Sequence, residues 1–567
     1  MTIPGYMNGI SDLGGGLQES VAVRNTCEGG DRPMQYGSGF DGSDIPALAH
    51  ASGTDRALGA PFKWYWMAAT LILAVLAAAC GAPAPPSTST SHPSIRVPSH
   101  ELRATSPYPV LPVSHQGRWL TDAAGRVLLL HGVNVVEKHP PYYPSAFGFD
   151  MADARWLAAN GFDVVRLGVL PTGAMPTPGQ ISQSYFSHLA TTVNQLAHYN
   201  VLTLLDVHQD GYGPSVGSDG FPSWMTLTEG ATDNHAPFPL YYISNPAVKQ
   251  AFQSFWDNRA GPGGKGLQQD YAGMIAALAS DFAKIPSVLG YDVLNEPWPG
   301  NTWLPCLSTG GCPSLDRSEL APFYTRADHA IRSMDHTHLV FVEPFVLFNF
   351  GDSPTTIPLP GNDPLSGLSF HVYPNPFSLS KVRSAIAHAI SWSRRTGGAL
   401  LDTEWGATST PSVITSESSV LDSALIPWIY WPFMGCSVGC SAGSAAGVVG
   451  TLSSPPSGAN LHVAVAAALV QVHPLAVAGT PRSLTYDPAT HVMHFTWSTM
   501  RAGGGRFPAS AVTSIQVPLL DEPNGYSVRV SGARVTSVPC ARMLTLTAIG
   551  KSTHTASVTI APSGHCS

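Results

Sequence analysis

The strongest constraint in this chain is a rhythm. From residue 108 onward, short apolar runs alternate with stretches of helical period. The runs cover 128–136, 164–170, 201–208, 288–297, 338–345, 367–374, 398–406 and 426–434, eight in all. Between them lie amphipathic stretches such as 151–160, 185–198, 267–285, 322–334 and 382–395. A strand that is apolar on both faces must be covered on both, so this alternation indicates a parallel sheet flanked by helices. Eight such units within 108–475 predict an α/β fold, an eight-stranded (β/α) TIM barrel with insertions. The competing doubly wound open sheet lacks its signature, because no Gly-rich phosphate turn follows the first run. After residue 475 the pattern becomes short β-rich runs at 492–497, 514–519, 527–530 and 543–547, separated by turns such as Asn524-Gly525. A small C-terminal β-sandwich over 476–567 is therefore expected, with no chemical motif of its own and a buttressing role.

Composition narrows the class further. Only 12% of residues are charged, about half the usual share, while 55 Gly and 50 Pro make the chain loop-rich. It is not disordered, since 44% apolar content with 13 Trp, 18 Tyr and 21 Phe can fill a large core. A net charge of −8 argues against a nucleic-acid partner, which needs a basic surface. Coiled coil, collagen and polytopic membrane protein are likewise excluded by the scarce charge, aperiodic glycine and single long apolar run.

That run covers 64–80, follows Arg56 and Lys63, and ends Leu76-Ala77-Ala78-Ala79-Cys80. A basic flank, short apolar core and small-residue end form a secretory signal pattern, so 61–80 is expected to direct export. Small residues leading into cysteine resemble a bacterial lipobox, although Ala77 stands where leucine is preferred. The resemblance implies a lipid on Cys80, with an uncleaved signal anchor or plain secretion as the alternatives; the protein is expected to be exported, at the cell envelope or outside the cell, and membrane-associated through the lipid or the anchor. Residues 1–60 are then a disordered leader or a gene-model artefact, and 81–107, rich in Pro, Ser and Thr, an extended tether. With Cys27 and Cys80 set aside, six cysteines fall in close pairs: Cys306–Cys312, Cys436–Cys440 and Cys540–Cys566. Disulfides suit an exported chain; the rival zinc site lacks two-residue spacing and a following histidine pair.

Function is written at the carboxyl ends of the runs, where barrel active sites lie. Those ends carry Asn134, Arg166, His208, Asn295-Glu296, Glu343, His371 with Tyr373, Glu404 and Trp431. One such residue alone could merely cap a helix; polar or aromatic groups on every strand at one rim are harder to explain by packing. Glu296 ends the fourth run and Glu404 the seventh, on strands that face each other across the rim. Cleaving a glycosidic bond needs such a pair, an acid for the leaving oxygen and a carboxylate beside the anomeric carbon. In a retaining mechanism they stand about 5–5.5 Å apart.

On these residues the chain resembles glycoside hydrolase family 5, in clan A of the retaining glycosidases. That clan keeps its acid/base in Asn-Glu-Pro after strand four, here Asn295-Glu296-Pro297, and its nucleophile after strand seven, here Glu404 in Asp402-Thr403-Glu404-Trp405-Gly406. Arg166, His208, His371, Tyr373 and Trp431 match the supporting positions in order. The resemblance implies no cofactor. Chemically, Asn295 is placed to donate to a sugar 2-hydroxyl, Tyr373 and Arg166 to hold Glu404, and Trp431 to lie beneath the sugar. His208 and His371 would orient carboxylates or bind hydroxyls; neither has the spacing of a metal-ligand cluster.

Within the family the chain looks like the endoglycoceramidases, which release the whole sugar head from ceramide. The likeness is carried by His131-Gly132-Val133-Asn134, Lys138, Pro140-Pro141-Tyr142, His208-Gln209-Asp210-Gly211, Asp219-Gly220-Phe221-Pro222-Ser223-Trp224 and Phe255-Trp256-Asp257-Asn258. It implies that Lys138 and Asp210 contact the head-group sugar. The insertion at 208–266 is long for a barrel loop and rich in aromatics, which either line a channel for acyl chains or pack a small core of their own. The expected activity is retaining, endo-acting hydrolysis of a glycolipid by a chain taken to be monomeric. The alternatives are a family 5 enzyme on oligosaccharides or another glycosylated lipid such as a steryl glucoside, and a non-catalytic carbohydrate-binding lipoprotein. The last should lack a carboxylate, and both are present.

Overall fold

The structure, a computed structural model, describes residues 104–435, 444–550 and 554–565. Eight parallel strands close a barrel: β1 His131–Val135, β2 Val164–Val169, β3 Leu202–Val207, β4 Val288–Asp292, β5 Leu339–Val342, β6 Ser366–Val372, β7 Ala399–Gly406 and β8 Trp428–Trp431. Each pairs with its sequence neighbour, and β8 closes on β1 through Trp428↔His131 to Tyr430↔Val133. All but the last residue of β7 are buried along these strands, as the unbroken apolar runs require. Helices Met151–Ala159, Gln183–His198, Leu267–Phe282, Ala321–Arg332, Leu379–Thr396 and Pro411–Ser423 fill the outer layer. Local chemistry sets their starts: Asp150 and Asp153 form a capping box on the first, and Ser182 Oγ accepts from the Tyr185 amide on the second.

The sandwich is present, and it borrows chain from ahead of the barrel. Its larger sheet runs Ser114–Gln116, Trp119–Thr121, Val127–Leu128, His473–Val477, Val512–Gln516, Met543–Ala548 and Ala533–Val535 in spatial order. The smaller runs Thr480–Asp487, Val492–Ser498, Thr555–Pro562 and Tyr526–Ser531. The run 128–136, read from sequence as one barrel strand, is thus divided: Leu128 pairs with Ala476, and the barrel strand begins at His131. The reason is that alternate residues serve two cores. Val127 and Leu129 pack with Phe495, Trp497 and Leu546 inside the sandwich, whereas Leu128 and Leu130 pack with Leu204, Phe341 and Leu401 at the amino end of the barrel. Leu475 and Ala476 join the second group, so the sandwich plugs that end.

The aromatics of the long insertion join the main core of the barrel. Tyr212, Phe221, Met225, Tyr241, Tyr242, Phe252, Phe255 and Trp256 are all buried in the main apolar cluster, with Trp224 and Phe238 against its edge. Tyr212 donates to the Met225 carbonyl (2.8 Å) and Trp256 to the Trp298 carbonyl (2.8 Å), which satisfies their polar ends. Of the two readings of these aromatics, their burial supports packing: they face one another and the rings of Tyr271, Trp298, Phe323 and Phe345.

Cys306 and Cys312 are joined by a disulfide. Cys540 is also disulfide-bonded, and its expected partner Cys566 lies outside the described residues, as do Cys436, Cys440, Cys27 and Cys80. The expectations for 1–60, for 61–80 and for nearly all of 81–107 fall outside them too. Among the described residues no helix is long and apolar enough to cross a membrane.

Candidate active site

The two glutamates reach the cleft by irregular backbone on opposite sides of the barrel. Glu296 lies just beyond β4 with φ +42°, left-handed for a residue with a side chain, which costs on the order of 1 kcal/mol or more. Hydrogen bonds hold it there. The Glu296 amide donates to Glu343 Oε2 (2.8 Å), and Gln209 Nε2 donates to the carbonyls of Asn295 (2.8 Å) and Glu296 (3.0 Å). Asn295 returns a bond to the Gln209 carbonyl (3.0 Å). On β7, the register against β6 slips between Asp402 and Glu404, a bulge that pairs Glu404 with His371. The bulge carbonyl of Thr403 accepts from Asn134 Nδ2 (2.9 Å).

Arg166 anchors the floor. Its guanidinium pairs with Asp206 (2.9 Å), Asp292 (2.9 Å), Glu343 (2.9 Å) and Glu404, and also donates to Asn134 Oδ1 (3.2 Å) and Asn295 Oδ1 (2.9 Å). Four carboxyl groups thus crowd one fully buried arginine. Burial works against the arginine's charge, but these carboxylates more than offset it and hold its pKa well above the ordinary value.

Above the floor, Glu404 Oε1 accepts from Arg166 and Oε2 from the Tyr373 hydroxyl (3.1 Å). Glu296 Oε1 meets His371 Nδ1 (2.9 Å) and accepts from Asn349 Nδ2 (2.6 Å). His371 also lies 3.2 Å from Glu343 and 3.6 Å from Glu404. Desolvation pushes the Glu296 carboxyl above its ordinary range, with His371 pulling the other way, as an acid/base requires. His371 is likewise desolvated, yet the charges of Glu343 and Glu404 raise it well above an ordinary imidazole. Glu343 is pushed up to about 8, chiefly by burial. Oxygens of Glu296 and Glu404 and a ring nitrogen of His371 all lie within 4.8 Å of one another. The glutamates thus stand near the separation of a retaining pair and well short of the 6.5–9.5 Å or so that admits a water between them.

A second group stands beside this one. Lys138 Nζ bonds Asp210, lies 3.6 Å from Asp219, and sits 4.9 Å above the Trp431 ring. His208 stacks parallel to Trp431 at 5.5 Å and touches Asp206 (2.7 Å) and Asp210 (3.2 Å). Burial opposes charge on His208, but Asp206 and Asp210 lift it to about 10. Asp206 touches both Arg166 and His208 and so joins the two groups. Charged rims around a flat indole face offer what a sugar needs, hydroxyl partners and a stacking surface. Among the described residues two triplets have atoms close enough to ligate a cation, His208/Asp210/Asp219 and Glu296/His371/Glu404; Lys138 already pairs with both aspartates of the first, and Arg166 with Glu404 of the second.

All ten residues expected from sequence converge here. Asp206, Asp292, Gln209 and Asn349 were not assigned roles by the sequence. Asp206 had a signal, since a position two before His208 on a strand shares its face; Asn349, in a one-turn helix at Val346–Phe350, had none.

Comparison with known proteins agrees with this geometry. Residues 122–436 match the family description Cellulase (glycosyl hydrolase family 5), and residues 472–560 match the Glycoside hydrolase family 5 C-terminal domain. Endoglycoceramidase I of Rhodococcus hoagii is 31% identical over 463 residues, covering 78% of this chain and 87% of that protein. Endoglycoceramidase of Hydra vulgaris is 28% identical, covering 74% and 83%. Among solved structures, Endo-glycoceramidase II from Rhodococcus sp., described as a lactosyl-enzyme intermediate, superposes with a TM-score of 0.63 at 26% identity, covering 78% of this chain and 99% of that one. With its barrel, its paired glutamates and its C-terminal sandwich all accounted for, the chain belongs to glycosyl hydrolase family 5.

Proposed function

We propose that this protein is a retaining endo-glycosidase that cleaves the β-glycosidic bond between a sugar head group and ceramide. The observation that carries the mechanism is the Glu296–Glu404 approach within 4.8 Å. Glu404 attacks the anomeric carbon from one side while Glu296 gives its proton to the leaving oxygen, which departs as the primary alcohol of ceramide. The glycosyl–Glu404 ester then accepts water, whose proton returns to Glu296 as the ester bond breaks. His371 and Asn349 hold the Glu296 carboxyl on one oxygen, so the other is free to face the leaving group. Asn295, with one amide hydrogen given to Gln209, keeps the other for a sugar hydroxyl.

The lipid part of the substrate is supported by the endoglycoceramidases of Rhodococcus hoagii and Hydra vulgaris, which span most of this chain. Lactosylceramide, glucosylceramide, a ganglioside, cellooligosaccharides and a steryl glucoside, offered in parallel, test the reading. Release of the intact sugar head from the glycosphingolipids is expected; action on cellooligosaccharides or the steryl glucoside alone overturns it. We further propose that the chain is exported and lipid-anchored at Cys80, supported by the Lys63-flanked apolar run ending in small residues. Mass spectrometry of the mature amino terminus should find a diacylglyceryl cysteine; an intact peptide spanning residue 80 refutes the anchor.

A further inference from the structure

The loop that follows Glu296 has an unusual surface. Residues 297–315 contain no Asp, Glu, Lys, Arg or His. Within them Leu304 is 64% exposed and Leu307 57% exposed. Isolated surface leucines are ordinary, but these sit on a loop that is pinned from several sides. Ser353 Oγ donates to the carbonyls of Cys306 (2.9 Å) and Ser308 (3.2 Å), and the Val346 amide to the Pro297 carbonyl (3.1 Å). Trp303 packs on Trp298 (5.4 Å), and the Cys306–Cys312 disulfide clips the tip. A loop this well anchored holds its leucines outward instead of folding them in.

The loop is also continuous with the chemistry. It starts at the acid/base glutamate, and the segment after β5 that pins it carries Asn349, the Glu296 partner. Two further large apolar side chains, Leu240 (48% exposed) and Phe377 (43% exposed), lie on the loops after β3 and β6. All four therefore leave the barrel from the end that carries the glutamates. Uncharged, apolar and rigid at the catalytic rim is the chemistry of a group that sits at the boundary of headgroups and acyl chains.

We propose that the catalytic rim, led by Leu304 and Leu307, docks on a lipid bilayer, so that glycolipid is attacked where it lies in the membrane. This rests on the glycolipid reading above and adds the surface that delivers the substrate. The test uses the full chain on phosphatidylcholine vesicles carrying lactosylceramide, on lactosylceramide in detergent micelles, and on a soluble aryl β-lactoside. The double variant Leu304→Asp/Leu307→Asp is expected to lose about tenfold or more in kcat/KM on vesicles while its aryl-lactoside turnover stays within about twofold. Both proteins share residues 1–103, so any membrane binding from there cancels in the ratio. Unchanged vesicle activity in the double variant overturns the proposal. Should the acidic pair damage the loop and depress every substrate alike, Leu304→Trp decides: its added fluorescence should shift to the blue with vesicles, and no shift beyond the parent's refutes docking. Failure of the parent enzyme on micellar lactosylceramide sinks the glycolipid reading separately, leaving the fluorescence result to judge the surface.

Discussion

The two ends of the barrel are built on opposite economies. At the amino end, Leu204, Leu289, Leu339, Phe341 and Leu401 meet Leu475 and Ala476 of the sandwich in an apolar plug. At its margin two buried histidine–aspartate pairs stand together, His473 with Asp163 (2.7 Å) and His131 with Asp422 (3.1 Å), the two rings stacked at 3.8 Å. At the carboxyl end, four carboxylates crowd one arginine, Glu296 holds a left-handed backbone, and β7 is bulged. One end concentrates stability, the other concentrates charge and strain that only a reaction can use. Substitutions at the two ends should therefore separate activity from stability.

Glu404→Ala tests this hardest. It should reduce turnover to below about a thousandth of the parent's, since the covalent step loses its nucleophile. Its melting temperature should hold or rise, because one of four carboxylates around Arg166 is gone. Near-normal activity would remove the assignment, and a large fall in Tm would remove the contrast. Glu296→Ala should cost about 10²- to 10⁴-fold with natural glycolipid. With an aryl glycoside, whose leaving group needs little protonation, azide should restore turnover and yield a β-glycosyl azide. An α-azide product would contradict the retaining geometry.

At the other end the signs reverse. Leu475→Ala and Leu546→Ala each delete a buried side chain from the plug or from the sandwich core behind it. Each should destabilise by about 2–5 kcal/mol in denaturant unfolding, with kcat per folded molecule unchanged. A selective loss of kcat in either variant would show that the sandwich shapes the site, and the two ends would no longer be separable.

The same contrast governs what the sequence made legible. The eight strands were readable because a parallel sheet needs unbroken apolar runs, and the strand-end residues because each lies at a fixed offset from such a run. Arg166, His208, His371, Tyr373 and Glu404 were all found this way. Residues 127–130 misled for the same reason: their alternate members face two cores, so both parities are apolar and the boundary between strands carries no polar mark. The aromatics of 208–266 were legible as a cluster but not in direction, since composition does not distinguish a lined channel from a packed core. Asn349 was not legible at all. It stands in a single turn whose neighbours Phe348 and Phe350 read as packing, and only the fold brings its amide to Glu296.

Asn349 therefore supplies the finest test of the charged end. Its Nδ2–H donates to Glu296 Oε1, and a donor stabilises the ionised carboxyl relative to the protonated one. Burial has already raised that carboxyl. Removing the donor in Asn349→Ala should raise it further, so Glu296 stays protonated to higher pH. The basic limb of kcat/KM, which reports loss of the acid in free enzyme, should move up by about half a unit to one unit, with a small loss at the optimum. The same shift should be absent with an aryl glycoside that needs no proton on its leaving group. A basic limb that stays put, or that moves for both substrates alike, would assign the limb to another group. His371, raised by Glu343 and Glu404 and touching the same oxygen, would be the first to examine.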